Sequence, residues 1–455
     1  MKRALLVFLI AACLICSLWL TSCEKSENSN TGESSTVDSE GASTDSSNNN
    51  SLATDSSESG TQDSTVDSAQ DSGATDKDTD ADNEWLGYRL LDDGTYAVSA
   101  GKSRNLSQIV IPKSYKGKAV TMIEGEGFKN CEKLESIEIP SNVTAIGDLA
   151  FENCGSLKSV ELTKGMKEIG HGAFFGCASL EGISIPEGVT VIGDSAFYYC
   201  QSLASIEIPG SVTVICDNAF KDCRSLSGVT ISEGTVKIGD YAFYKCEELE
   251  CVTISGSVSS IGELAFGGCV GLSSIEVSES SESYKSMDGV LYTKDGKKLI
   301  KYAVGKADKE FSIPNGVESI EWYAFDESIS LEKVILPSGL VSIGDCAFAS
   351  CAELKSVTIP GSVNKIGGLA FSGCKGLTNV TIENGVKKIA ACAFQDCTSL
   401  TSIIIPISVT SIGNSAFAGC TSLTIYCEAQ SSPSQWDLNC NPSRCPIVWG
   451  YKQGE

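Results

Sequence analysis

The sequence predicts a β-rich α/β solenoid: a curved leucine-rich repeat rod of 23-residue coils, with a β-hairpin insert and N- and C-terminal caps. The first observation is a phenylalanine that recurs every 23 residues, apart from one 59-residue interval. A fixed period between about 20 and 50 residues is typical of solenoids, because a single unit cannot bury its apolar face alone. The recurring residues are Phe128, Phe151, Phe174, Phe197, Phe220, Phe243, Phe266, Phe325, Phe348, Phe371, Phe394 and Phe417.

The second observation is the order of residues within one unit, such as residues 134–156. Ile137 and Ile139 alternate with polar neighbours, which predicts a short strand with one buried face. Pro140 lacks a backbone N–H and ends that strand, and Gly147 permits a turn that a side chain would hinder. Regular leucine and isoleucine positions at this period indicate a leucine-rich repeat.

A short acidic residue precedes the Ala-Phe pair in several units. It is Asp148 in one unit, and its counterparts are Asp194, Asp217, Asp240 and Asp345. A short acid before a helical turn is typical of an N-cap, whose side chain accepts hydrogen bonds from exposed backbone N–H groups. We therefore expect capped helical turns here, in preference to a row of calcium ligands.

Cysteine also follows the period, since eleven of the 21 cysteines lie three residues after a repeat phenylalanine. We expect these ladder cysteines to be buried free thiols, because buried cysteine behaves as a small hydrophobic residue. A disulfide between coils would meet the distance range, but parallel side chains suit its dihedral angle poorly. The ladder cysteines are Cys131, Cys154, Cys177, Cys200, Cys223, Cys246, Cys269, Cys351, Cys374, Cys397 and Cys420.

Residues 1–23 have the pattern of a lipoprotein signal peptide. Lys2 and Arg3 precede an apolar run that ends near Leu20, which is short for a membrane span and typical of an export signal. The sequence Leu-Thr-Ser-Cys that ends at Cys23 resembles the bacterial lipobox. This resemblance implies cleavage before Cys23 and lipidation of its sulfur, which would anchor the protein to the extracellular face of the cell membrane.

Residues 24–83 are rich in Ser, Thr, Asp, Glu, Asn and Gly and contain almost no large apolar residue. Such a composition buries too little apolar surface to offset chain entropy, so we expect a disordered acidic tether. The chain has 58 acidic and 34 basic residues and a formal net charge of −24. Nucleic-acid binding requires a basic surface, so this charge argues against a nucleic-acid partner.

The remaining chain divides where the repeat pattern changes. We expect an N-terminal cap over residues 84–105, repeats over residues 106–277 and again over residues 311–426, and a C-terminal cap over residues 427–455. Between the two blocks, residues 278–310 are expected to form a β-hairpin insert with a tight turn at Asp288 and Gly289. Cys427, Cys440 and Cys445 lie in an irregular region and are the only cysteines expected to be capable of forming a disulfide.

The consensus LxxIxIPxxVxxIGxxAFxxC, over residues 106–423, resembles the BspA-like leucine-rich repeat family of bacterial surface proteins. The resemblance implies a cell-surface adhesin or ligand-binding role, often toward host matrix proteins, and transfers no individual binding residue. Some units depart from the consensus: Cys216, Glu321 and Ala390 replace the glycine, and Ser328 replaces the ladder cysteine.

Nothing in the sequence indicates an enzyme. The single histidine, His171, occupies the Asp148 position and is expected to be a surface residue. No serine has the context of a nucleophile elbow, and the 23-residue spacing of the cysteines differs from that of zinc ligands. We therefore expect no catalytic residue, no metal and no cofactor.

The remaining candidate for function is the outward residue of each strand, on what we expect to be the concave face. The first half of this row is acidic and hydroxylic, and the candidate binding residues are Glu138, Glu161, Glu207, Thr230, Thr253 and Glu276. Strand propensity alone could also explain threonine and isoleucine in the row. The second half contains Ile335, Thr358, Thr381 and Ile404.

Two functions remain open. The first is a surface adhesin or binding module for an extracellular protein or glycan, such as host matrix, acting as a monomer. The second is a structural lipoprotein that organises the envelope by binding the cell's own surface polymers.

Overall fold

The computed structural model describes residues 85–452, which contain 34 β-strands, numbered here in chain order. The predicted signal peptide, Cys23 and nearly all of the predicted tether lie outside these residues. The strands before the regular repeats are β1 (Gly87–Leu90), β2 (Tyr96–Ser99), β3 (Gln108–Val110), β4 (Ser114–Tyr115) and β5 (Lys118–Ile123). Each later coil contributes one longer strand, from the Ile-x-Ile segment, and one two-residue strand.

The longer strands of the first block are β6 (Ser136–Glu138), β8 (Ser159–Glu161), β10 (Gly182–Ser184), β12 (Ser205–Ile208), β14 (Gly228–Ile231), β16 (Cys251–Ile254) and β18 (Ser274–Val277). Its short strands are β7 (Ala145–Ile146), β9 (Glu168–Ile169), β11 (Val191–Ile192), β13 (Val214–Ile215), β15 (Lys237–Ile238) and β17 (Ser260–Ile261). The insert contributes β19 (Tyr284–Met287), β20 (Val290–Thr293) and β21 (Lys298–Lys301).

The longer strands of the second block are β22 (Glu310–Ser312), β24 (Lys333–Ile335), β26 (Ser356–Ile359), β28 (Asn379–Ile382), β30 (Ser402–Ile405), β32 (Thr424–Cys427) and β34 (Ile447–Trp449). Its short strands are β23 (Ser319–Ile320), β25 (Ser342–Ile343), β27 (Lys365–Ile366), β29 (Lys388–Ile389), β31 (Ser411–Ile412) and β33 (Gln435–Trp436).

Strands of successive coils pair in parallel, and each residue lies beside the residue one repeat later. Ile206 pairs with Val229, Val229 with Val252, and Val252 with Ile275. The side chains at these positions are buried, whereas the intervening residues are exposed. Equivalent residues therefore form ladders along the solenoid, as expected for stacked repeats.

The predicted α component is absent from residues 85–452, where the Ala-Phe segment forms turns without a helix. In each coil a residue with positive φ lies two positions before the phenylalanine and another two positions after it, as Leu149 (57°) and Asn153 (59°) do around Phe151. The N–H groups of these two residues and of the phenylalanine between them bond to the next coil, as Phe151 N–H does to Ala173 O at 2.8 Å, whereas the N–H of Glu152 bonds within its own coil to Leu149 O at 3.1 Å. A helix would require those N–H groups to bond within their own coil.

The predicted N-caps are therefore wrong, and the aspartates act between coils. Asp148 Oδ1 accepts the backbone N–H of His171 at 3.0 Å, and Asp217 Oδ1 accepts that of Asp240 at 2.9 Å. The same contact joins Asp345 to Gly368 at 2.6 Å. Each of these acids accepts a backbone N–H one repeat later, so it connects adjacent coils.

Two side-chain ladders fill the core between the sheets. Successive phenylalanine rings stack almost in parallel, as Phe220 does with Phe197 (5.1 Å, 5°) and Phe243 (5.2 Å, 3°). The ladder cysteines are buried and free, as predicted. From Cys154 onward each thiol donates to the carbonyl of the preceding coil's phenylalanine at 3.0–3.3 Å. Burial raises the pKa of the Cys177, Cys200, Cys223 and Cys246 thiols, and raises that of Cys269 to about 12.

The insert begins with a hairpin of β19 and β20 joined at Asp288 and Gly289, and β21 adds a third, antiparallel strand. β21 then pairs in parallel with β23, so it begins the short-strand sheet of the second block. Tyr302 stacks on Phe325 at 4.9 Å and takes the place of a repeat phenylalanine. Two hydrophobic clusters meet at the insert: Leu291 belongs to the first, whereas Tyr302 belongs to the second.

The C-terminal segment continues both sheets. β33 pairs with β31 and β34 pairs with β32, both in parallel. Trp436 packs against Trp449 at 5.5 Å, closing the second hydrophobic cluster. Cys427, Cys440 and Cys445 are buried free thiols, and Cys445 Sγ donates to Cys420 O at 3.1 Å. The predicted irregular cap therefore contains one further pair of strands in the described residues.

No helix that is long and apolar enough to span a bilayer occurs between residues 85 and 452.

Candidate binding surfaces

The outward side chains of the longer strands form one surface, which we call the strand row. It comprises Val110, Glu138, Glu161, Ser184, Glu207, Thr230, Thr253, Glu276, Ile335, Thr358, Thr381 and Ile404. All of these residues are exposed except Ile404, which is partly buried. Each lies next to a buried aliphatic residue of the same strand, as Glu207 does between Ile206 and Ile208. The alternation of the strand therefore directs the row toward solvent.

The structure divides the six predicted binding residues between two sheets. Glu207, Thr230, Thr253 and Glu276 are neighbours in one register across β12, β14, β16 and β18. Glu161 pairs with Ser184 in a separate sheet of β3, β6, β8 and β10, which also contains Glu138.

Ion pairs between neighbouring coils flank the strand row in both blocks. Lys158 pairs with Glu135 at 2.7 Å in the first block. In the second block Glu332 lies between Lys309, at 2.7 Å, and Lys355. These lysines lower the pKa of Glu332 to about 2. Glu138, Glu161 and Glu207 have no ion-pair partner within residues 85–452. The first block therefore presents carboxylates that are available to a ligand.

The turns after the repeat phenylalanines carry an aromatic cluster that the sequence analysis missed. We define it as Phe175, Tyr198, Tyr199, Tyr241 and Tyr244 around Lys221. Phe175 packs edge-on against Tyr198 at 4.9 Å, and Tyr241 against Tyr244 at 5.5 Å. The Lys221 ammonium lies 5.2–5.6 Å from the ring centroids of Tyr198, Tyr241 and Tyr244. The available signal was aromatic residues directly after the phenylalanine in three units.

A cleft of about 520 Å³ lies where the insert interrupts the repeats, and we call it the insert cleft. One wall is formed by residues 261–266, and the other by β21 and residues 321–323. Tyr284 bridges toward the first wall, since its hydroxyl oxygen accepts the Ile261 N–H at 3.2 Å. Lys301 is buried behind the second wall, where its Nζ donates to Tyr323 O at 3.0 Å. Burial lowers the pKa of Lys301.

No cluster of three or more histidine, cysteine or acidic side chains suited to a metal ion occurs in the part of the chain that the structure describes. The exposed His171 Nδ1 lies 3.8 Å from Asp194 Oδ1 on the surface. The described residues therefore offer extended surfaces, with the insert cleft among their pockets.

Comparison with protein families connects these surfaces to a known architecture. The BspA type leucine-rich repeat region, in six copies, matches residues 99–227, 190–287 and 305–424. The chain belongs to this BspA-type leucine-rich repeat family. No curated protein matches the chain in sequence.

Solved structures agree with this assignment. A leucine-rich cell-surface protein from Faecalibacterium prausnitzii is 31% identical, with a TM-score of 0.60, over 84% of this chain and 97% of that one. A leucine-rich repeat protein from Bacteroides ovatus is 30% identical, with a TM-score of 0.60, over 80% and 89% of the two chains. The pneumococcal vaccine antigen PcpA shares the fold at 19% identity, with a TM-score of 0.51, over 81% and 98%.

Membership of this family indicates a bacterial cell-surface protein with a protein-binding role. Leucine-rich repeats are binding scaffolds, because stacked coils create extended surfaces. The match is to repeats and includes no enzymatic domain. Membership therefore establishes that the protein is a cell-surface leucine-rich repeat protein. It does not identify the ligand or the means of anchoring.

Proposed function

We propose that this BspA-type protein is a lipid-anchored, non-catalytic adhesin that binds an extracellular protein or glycan through its strand row. The observation that carries the proposal is the exposure of Glu138, Glu161 and Glu207 without ion-pair partners among the described residues. Glu138 and Glu161 lie on the paired strands β6 and β8, where like charges repel each other, so this part of the row is unfavourable in the free protein. A basic or hydroxyl-rich ligand would relieve that repulsion.

The strand row also suits an extended partner. Successive strands lie about 4.8 Å apart, so the row offers one outward side chain at each step of a regular grid. Glu207, Thr230 and Thr253 share one register and form a continuous acceptor line. The strand row therefore supports binding along several coils at once.

We predict that Cys23 carries the lipid and that Cys23→Ala releases the protein from the membrane fraction. The reason is the lipobox-like sequence before Cys23, whose thiol is the attachment atom that alanine lacks. The measurement is the distribution of the protein between membrane and soluble fractions, with Cys16→Ala as the control because Cys16 lies inside the signal. An unchanged membrane share for Cys23→Ala would show that the anchor is not this cysteine.

We predict that the triple variant Glu138→Gln, Glu161→Gln and Glu207→Gln weakens ligand binding by about tenfold. Three exposed charge contacts of about 0.5 kcal/mol each amount to that factor. The salt dependence of binding should also decrease, because salt screens exposed charges. The ligand is first identified by screening the full-length protein against extracellular-matrix proteins and glycans, and affinity is then measured at several salt concentrations.

The matched control is Glu132→Gln, Glu248→Gln and Glu353→Gln. These glutamates are also exposed, and their replacement changes the net charge equally, but they lie on the turns before the longer strands. The control should bind as the wild type does. Equal affinity of both triple variants for every ligand found would locate binding elsewhere on the surface.

A further inference from the structure

A gap in the repeat architecture creates the insert cleft. β17 is the last strand of its sheet, and the next short-strand sheet begins with the insert strands β19, β20 and β21. The stack of aromatic rings is also interrupted here. Phe266 stacks on Phe243 at 5.6 Å, and the next stacked pair along the chain is Tyr302 with Phe325. The cleft therefore lies where the insert interrupts the stacking of the coils.

Two departures from the repeat lie in the wall of the cleft. Glu321 replaces the repeat glycine, and Trp322 occupies the position at which four other coils carry an aspartate that bonds to the next coil: Asp148, Asp217, Asp240 and Asp345. The indole of Trp322 is 53% exposed, although tryptophan usually buries its large apolar surface. The indole at this position adds a flat apolar surface at the cleft.

Further aromatic side chains surround Trp322. Tyr284 and Tyr323 line the same cleft. Burial raises the pKa of the Tyr323 hydroxyl, which is consistent with its place in the cleft wall.

The polar groups of the cleft suit a neutral, hydroxyl-rich ligand. Lys298 pairs with Glu321 at 3.4 Å, and Lys301 Nζ already donates to a backbone carbonyl. No lysine of the cleft wall is therefore left to favour an anion. Glu263 lines the cleft and is exposed, so its carboxylate is an acceptor for a ligand. The Thr293 hydroxyl is already engaged, since it donates to Asp295 Oδ1 at 2.7 Å and accepts the Lys298 N–H at 3.1 Å.

We infer that the insert cleft is a binding site for a neutral oligosaccharide, separate from the strand row. The apolar C–H face of a pyranose ring packs on the indole of Trp322, and its hydroxyls donate to the carboxylates of Glu263 and Glu321. A cleft of 520 Å³ holds about two or three sugar rings, within the usual range for ligand pockets. A peptide would leave its backbone N–H and C=O groups with few partners among these side chains, which favours the saccharide.

The test is isothermal titration calorimetry of the purified full-length protein. The probes are neutral hexasaccharides of N-acetylglucosamine, mannose, galactose and xylose. We expect saturable binding of at least one probe. Trp322→Ala should weaken it by about tenfold or more, whereas Trp322→Tyr should retain most of the affinity because a ring remains. Trp322 is half exposed and tolerates both changes without loss of core packing.

The matched control is Trp85→Ala, since Trp85 is also exposed (63%) but lies at the start of the described chain. It should bind as the wild type does, and so should the triple glutamine variant of the strand row. Failure of all four probes to bind, or equal affinity for Trp322→Ala and wild type, would overturn the site. Neither result bears on the strand row, whose test uses different variants.

Discussion

Phe220→Ala is expected to lower the free energy of unfolding by about 3–5 kcal/mol, the usual cost of removing a fully buried phenylalanine. Phe220 is 0% exposed and stacks on a ring at each side, at 5.1 and 5.2 Å. Alanine would leave a cavity and interrupt both stacking contacts, because each coil packs only against its neighbours. Urea denaturation followed by circular dichroism measures the change.

The control for this prediction is Phe417→Ala in the last regular coil. Within residues 85–452 Phe417 stacks on one ring, that of Phe394 at 5.9 Å, so its removal interrupts a single aromatic contact there. We expect a smaller loss of stability, confined to the unfolding of the second hydrophobic cluster. Equal losses at Phe220 and Phe417, or a loss under about 1 kcal/mol at Phe220, would contradict the stacking argument.

Cys246→Ser is expected to lower the free energy of unfolding by about 1–3 kcal/mol, the cost of leaving a buried polar group without a partner. Cys246 is 0% exposed, and its thiol donates to Phe220 O at 3.3 Å. The C–O bond of serine is shorter than the C–S bond of cysteine, so a hydroxyl at this position lies farther from that carbonyl. Thermal and urea denaturation of the two proteins give the difference.

The chain contains a natural example of this substitution. Ser328 occupies a ladder-cysteine position, is 1% exposed, and its Oγ has no hydrogen-bond partner among the described residues. The reverse change, Ser328→Cys, should therefore stabilise the protein, because a thiol there reaches toward Tyr302 O as the other ladder thiols reach their carbonyls. If Cys246→Ser left the free energy of unfolding unchanged and Ser328→Cys lowered it, the thiol hydrogen bonds would not stabilise the protein. Side-chain volume would then determine which residue fits at each ladder position.

Much of the fold follows from local pattern. The spacing of the phenylalanines gives the length of the coil, and the alternation around Ile137 gives a strand with one buried face. The burial of the ladder cysteines also follows, because a residue that recurs at the same place in every coil must share one environment. These inferences succeeded because the repeat places the same side chains in register many times over.

The Ala-Phe turn shows where local pattern fails. An acid followed by Ala-Phe has the appearance of a helix start, but the N–H groups of Leu149, Phe151 and Asn153 bond to the next coil. The carboxylate of Asp148 also bonds to that next coil, since its Oδ1 accepts the backbone N–H of His171. A single unit carries no information about bonds that exist only when two units are stacked, so the helical interpretation could not be corrected from the sequence.

The candidate sites divide in the same way. The strand row could be predicted, since the alternation of each strand determines which residue faces outward. The separation of Glu161 and Glu207 into different sheets could not be predicted. It arises because β10 and β12 do not pair with each other, which only the three-dimensional structure shows. The insert cleft was also missed, although Glu321 was already recognised as a departure from the repeat.

By itself, the sequence determined the solenoid, its coil length, the positions of its core ladders and the outward row of each strand. It could do so because burial alternates along each strand and recurs once per coil. Only the tertiary structure decided that the turns are not helices, that the aspartates bond between coils, and that Trp322 borders a cleft with Tyr284. These features depend on contacts between residues of different coils, whose geometry is set by stacking and by the docking of the insert.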